Sequence, residues 1–185
     1  AVSFRVIYAQ PGAGSLLTVN GNTVGGNVAN SIQQLTGNIT SGNGSLFGII
    51  VLNPSIGNII TNNILRNLNI TTTFAGPSLN GISIQSSGGG HTITGNTVSN
   101  FTTNATNASI NNAASIVGIT MTGTAVGGTN VSGNTIFNLT NTNTTVAGWI
   151  NGMFFSTPAA PQPQTLISKN FIHSLNLASA ISGAG

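Results

Sequence analysis

The chain has 185 residues, of which 3 are lysine or arginine, none is aspartate or glutamate, and none is cysteine. It therefore holds no carboxylate pair for acid/base work, no acidic ligands for calcium or magnesium, no thiolate nucleophile and no disulfide. Arg5, Arg66 and Lys169 are too few and too scattered to neutralise a phosphate backbone, so no nucleic-acid surface is expected.

Asn, Thr, Gly and Ser make up 96 of the residues, yet 39% of the chain is hydrophobic and Ile and Val are abundant, which is not the composition of a disordered segment. In chain order, the first element is a strand around Val6 and Tyr8, with Arg5 in the place that glycine takes later. Then comes Val19-Asn20-Gly21-Asn22-Thr23-Val24, with Asn27 five residues after Asn22. A strand at Gly48-Ile49-Ile50-Val51 leads into Ile60-Thr61-Asn62-Asn63-Ile64-Leu65 and then Leu68. Gly81-Ile82-Ser83-Ile84 leads into Ile93-Thr94-Gly95-Asn96-Thr97-Val98 and Phe101. Gly118-Ile119-Thr120-Met121 leads into Val131-Ser132-Gly133-Asn134-Thr135-Ile136 and Leu139. Gly152-Met153-Phe154-Phe155 leads into Ile167-Ser168-Lys169-Asn170-Phe171-Ile172 and Leu175. No apolar run approaches the roughly 20 residues of a membrane helix.

These segments form one register. Asn22, Asn63, Asn96, Asn134 and Asn170 are spaced by 41, 33, 38 and 36 residues. Three before them stands an aliphatic column (Val19, Ile60, Ile93, Val131, Ile167), and two after them another (Val24, Leu65, Val98, Ile136, Ile172). The column just before the Asn holds Gly21, Asn62, Gly95, Gly133 and Lys169. It is mostly of residues that tolerate a left-handed backbone, which predicts a tight turn. The step from the Gly-headed strand to the next aliphatic column is 9, 9, 10 and 12 residues, whereas the return step is 21, 13, 17 and 13. One connection is thus a constant turn and the other a variable loop. Alternating apolar residues indicate strands rather than helices. Repeats of this length stack so that each aliphatic column becomes a continuous core. Uncharged Asn and Thr columns can hydrogen-bond from coil to coil where columns of like charge would repel.

The Gly-Ile-x-Ile, Ile-Ser-Gly-Asn-Thr-Ile and Asn-Leu-Thr pattern over roughly residues 5–176 resembles the right-handed parallel β-helix, the pectate-lyase-like fold, and the repeats of large secreted surface proteins of Bacteroidota-type bacteria. The resemblance implies an all-β solenoid of about five coils in one domain, 1–185. It also implies an extracellular or cell-surface setting and a role as adhesin, stalk or surface repeat. The lyases and hydrolases of this fold use acidic residues that this chain lacks, so no enzyme activity, metal or other cofactor is expected.

Neither end shows a cap, so the unit is expected to stack end to end, on itself or on adjacent repeats of one array, as a structural module or filament subunit. The alternative is a carbohydrate-binding module. It rests on Trp149, Phe154 and Phe155 before the Pro158–Gln164 segment, with Trp149 and Phe154 as the sugar contacts and surface glycans as partners. His91, in register with Leu17, Asn58, Thr129 and Thr165, and His173, in register with Gly25, Arg66, Ser99 and Phe137, are both expected to face outward. Lys169 is expected to share the left-handed turn. Nine Asn-x-Ser/Thr sequons occur, at Asn38, Asn43, Asn69, Asn100, Asn104, Asn107, Asn130, Asn138 and Asn143, and the loop 102–112 is the expected exposed acceptor.

Overall fold

The computed structural model describes residues 3–35, 44–52, 56–123, 128–145, 148–156 and 164–178. All regular structure among them is β, in three parallel sheets that form the walls of a solenoid. The first sheet stacks β1 (Phe4–Ala9), β5 (Leu46–Leu52), β9 (Leu79–Gln85), β12 (Ile116–Thr122) and β15 (Ile150–Phe155). The second stacks β2 (Thr18–Asn20), β6 (Ile59–Thr61), β10 (Thr92–Thr94), β13 (Asn130–Ser132) and β16 (Leu166–Ser168). The third stacks β3 (Thr23–Val24), β7 (Ile64–Arg66), β11 (Thr97–Thr103), β14 (Thr135–Asn141) and β17 (Phe171–Leu177); β4 (Ile32–Gln34) pairs with β8 (Leu68–Ile70), and β8 with β11. Three turns of this stack have a neighbour above and below, and the first and last have a neighbour on one side.

The columns stack residue on residue. Val19, Ile60, Ile93, Val131 and Ile167 are successive partners through the second sheet. Val24, Leu65, Val98, Ile136 and Ile172 are successive partners through the third. In coils two to four both columns are fully buried. The turn between the two sheets is left-handed at every coil: φ is 69° at Gly21, 55° at Asn62, 65° at Gly95, 64° at Gly133 and 54° at Lys169. Lys169 therefore adopts the conformation that its column demands, although it lacks glycine's freedom there.

The first sheet shows why glycine heads each of its motifs. Its inward side chains are Leu79, Ile82 and Ile84 in β9 and Ile116, Ile119 and Met121 in β12, so strict alternation breaks at Gly81 and Gly118. A Cβ on Gly81 would stand 2.4 Å from the Gly118 carbonyl oxygen and 2.9 Å from a Val98 methyl. The same atom on Gly118 would stand 2.5 Å from the Gly152 carbonyl and 2.9 Å from an Ile136 methyl. The strand bends here so closely against the next coil and the opposite wall that only a residue without a side chain fits.

Two positions in the first coil differ from expectation. Arg5 pairs with Phe47 and Ile7 with Ile49, which sets Val6, not Arg5, opposite Gly48. Arg5 instead lies over the Tyr8 ring, its guanidinium carbon 4.7 Å from the ring centroid. In the third sheet, Leu68 pairs with Ile32 and not with Asn27. An insertion before Ser31 carries Asn27 out to solvent and closes on itself, with the Gly26 N–H donating to Ser31 Oγ at 2.7 Å. From Ile32 to Gly48 is 16 residues, within the 13 to 17 of the other coils, so the outlying step of 21 disappears.

Candidate functional site

The register asparagines make a continuous side-chain ladder through the core. Asn63 donates from its backbone N–H and from Nδ2 to Asn96 Oδ1, both at 3.0 Å. Asn96 does the same to Asn134 Oδ1, at 3.0 and 3.0 Å. Asn134 does the same to Asn170 Oδ1, at 3.0 and 2.9 Å, and Asn22 to Asn63 Oδ1, at 3.0 and 2.9 Å. Each Nδ2 also reaches back to a carbonyl of the preceding coil: Asn63 to Val19, Asn96 to Ile60, Asn134 to Ile93 and Asn170 to Val131, at 2.8–2.9 Å. Asn63, Asn96 and Asn134 are wholly buried. Every polar atom of these three amides has a partner, as burial requires.

The bonds between the amides have a direction. Each asparagine donates to the Oδ1 of the one a coil nearer the C-terminus, so Asn22 Oδ1 at one end accepts from no described residue. At the other end, the Asn170 backbone N–H meets no described acceptor.

The two ends also differ in how they are covered. The first coil was expected to be as bare as the last, yet Val19 and Val24 are only 7% and 3% exposed and Gln34 is buried. In its first-sheet strand Ile7 and Ala9 pack against the core, and Phe4, in the Leu46 column, is exposed. The last coil shows the opposite. Ile167 and Ile172 are 50% and 40% exposed, and every residue of β17 is exposed, although the same columns are fully buried one coil earlier. Beside this edge His173 stacks on Phe137, 5.1 Å between centroids and 3° between planes, and meets Phe171 at 4.7 Å. Register alone does not show this trio, because Phe171 and His173 belong to different columns.

His91 does not face solvent. It is 1% exposed and packs in the turn before β10. The Asn58 backbone N–H donates to His91 Nδ1 at 3.1 Å, and His91 Nε2–H donates to the Gly88 carbonyl at 2.7 Å, which selects the neutral Nε2–H tautomer. The His91 backbone N–H donates to Thr129 Oγ1 at 3.2 Å. Its column with Asn58 and Thr129 is thus a polar coil-to-coil ladder. Burial pushes the His91 pKa below the ordinary histidine value, against the opposing hydrogen bond to Gly88.

The other candidates separate. Trp149 is exposed and Phe154 half-buried, while Phe155 and Met153 pack against the core. No ring contact joins Trp149 to Phe154 among the described residues. Residues 157–163, and the sequons at Asn38 and Asn43, lie outside those residues. The loop 102–112 is not the open acceptor expected: Asn107 is buried, and Asn104 Oδ1 accepts the Thr72 N–H at 2.8 Å. Among the described residues the sequon asparagines at the surface are Asn100 and Asn138, at φ 55° and 53°, with Asn138 Nδ2 donating to Asn100 Oδ1 at 3.0 Å. Their Asn-Phe-Thr and Asn-Leu-Thr sequences follow from a left-handed residue, an inward core residue and an outward β-former. No helix among the described residues is long and apolar enough to cross a membrane. Comparison of the chain with protein-family models, with curated proteins and with solved structures finds no match in any of the three.

Proposed function

We propose that the chain is a non-catalytic structural module, a length of solenoid in a secreted surface protein that associates end-on through its C-terminal coil. One observation carries this reading: Ile167, Ile172, Leu175 and Leu177 lie exposed in columns that the preceding coils bury. A solenoid edge of that kind, apolar and with unpaired strand groups, favours addition of another coil. The lack of catalysis is supported by a chain without carboxylates or thiols. The secreted setting is supported by the resemblance of its repeats.

Sedimentation velocity across a concentration series tests the association. The wild-type chain is expected to gain mass with concentration. The double variant Ile172→Lys/Leu175→Lys, which puts two charges on the open face of the last coil, is expected to stay monomeric with the far-UV signature of the parent. A wild-type chain that stays monomeric throughout the series contradicts the proposal.

A further inference from the structure

We infer that the asparagine ladder makes the open edge polar and register-specific. It accepts a parallel coil of the same repeat, with that coil's asparagine seated over Asn170, and it rejects a second C-terminal coil related by a twofold axis. This rests on the reading of the C-terminal coil as an association surface, and it names the partner that surface fits.

The four junctions already present define what a fifth requires. At each, one coil supplies a backbone N–H and an Nδ2–H, and the next supplies Oδ1 for both and an Nδ2–H for a carbonyl three residues before the first coil's asparagine. Asn170 has spent Oδ1 on the two donors of Asn134 and one Nδ2–H on the Val131 carbonyl. It retains its backbone N–H and a second Nδ2–H, and the Ile167 carbonyl stands where the Val131 carbonyl stands one coil earlier. A parallel coil with Asn in register satisfies all three groups at once, and its aliphatic columns cover Ile167, Ile172 and Leu175 in the spacing the stack repeats. A twofold mate offers the free N–H groups of Asn170 no acceptor beyond its own Ile167 carbonyl. Its own Asn170 has no free amide oxygen, so donors meet donors, and its strand runs in the opposite direction, so the spacing from Ile172 to Leu175 to Leu177 is reversed. Burying donors without acceptors disfavours that arrangement. The acceptor at the far end of the ladder, Asn22 Oδ1, has the matching polarity.

The test adds one more coil after the last residue of the chain. A copy of residues 150–177 fused after Gly185 keeps the eight-residue interval that separates Asn141 from Ile150. A second extension uses a copy of residues 116–141. Amide exchange is followed by NMR at a concentration where each chain is monomeric, with β11 and β14 amides as the check of folding. The Asn170 backbone and side-chain amide protons are expected to exchange about 100-fold more slowly in either extended chain, as for groups drawn into a stable unit. They are expected to stay fast when the copied Asn170 or Asn134 is replaced, Asn→Leu. Fast exchange at Asn170 in both extensions, with β11 and β14 still protected, overturns the inference, and so does a wild-type series that ends at a symmetric dimer. The second result would leave association through the C-terminal coil standing. Protection of Asn170 in an extended chain whose wild-type parent never associates would support the inference and contradict the self-association.

Discussion

Replacing Asn96 by alanine is expected to lower the free energy of unfolding by about 3–5 kcal/mol, since each buried donor or acceptor left unpaired costs about 1–3 kcal/mol. The side chain sits wholly buried at the middle of the ladder and takes part in four bonds between coils. Its loss strands the Asn63 N–H and Nδ2–H, the Ile60 carbonyl and one face of Asn134 Oδ1. Asn96→Asp does not rescue the site: it keeps the acceptor for Asn63 but turns an oxygen toward the Ile60 carbonyl and Asn134 Oδ1, and buries a charge without a counterion. Asn170→Ala is the internal control. That residue is half-buried at the open edge, where water can replace its partners, and its loss is expected to cost about 1 kcal/mol, the ordinary net worth of a hydrogen bond. Urea unfolding of the three variants measures the difference; an Asn96→Ala loss no greater than that of Asn170→Ala would show that the ladder is not a structural axis.

The second large effect is a dependence of stability on pH carried by the buried His91. Burial lowers the folded-state pKa of His91, so between that lowered value and the unfolded value of about 6.5 the unfolded chain binds more protons than the folded one. Stability therefore rises with pH through this window. It is complete above about pH 6.5 and declines below it, by at most about 1.4 kcal/mol per pH unit for a single proton. In most proteins this limb is overlaid by carboxylates, but here there are none in the side chains. His91→Gln is expected to flatten the unfolding free energy between pH 7 and pH 5, at some cost in stability throughout. A variant that keeps the wild-type slope would show that His91 does not carry it.

The columns were legible because each answers to a strict local demand. Left-handed turns select Gly or Asn, the inward rows select Ile, Leu and Val, and the close approach at Gly81 and Gly118 excludes any side chain. Even Lys169 follows from its place in the column rather than from its own preference. The misplaced residues share a cause: their neighbours come from elsewhere in the chain. The insertion that shifts Ile32 into the Leu68 column is held by Gly26 and Ser31, which follow no period, and by Asn67, whose left-handed column continues at Asn100 and Asn138. Val6 displaced Arg5 because the first coil lacks the glycine that marks the bend in the others. His91 shares a column with Leu17, Asn58 and Thr129, whose mixed polarity reads equally well as surface or as a buried polar ladder. The glycines at 88–90 were the available hint, since the Gly88 carbonyl is its acceptor. The covering of Val19 and Val24 was not legible, because a column carries no information about what lies beneath its first member.

Native-state amide exchange along the ladder tests the stack and its open end together. At a concentration where the chain is monomeric, the backbone amides of Asn63, Asn96 and Asn134 should exchange orders of magnitude more slowly than that of Asn170, because the first three donate to the asparagine one coil on and the last donates to nothing described. Uniform exchange across the four, whether all fast or all slow, would contradict a polar stack of coils with one bare end.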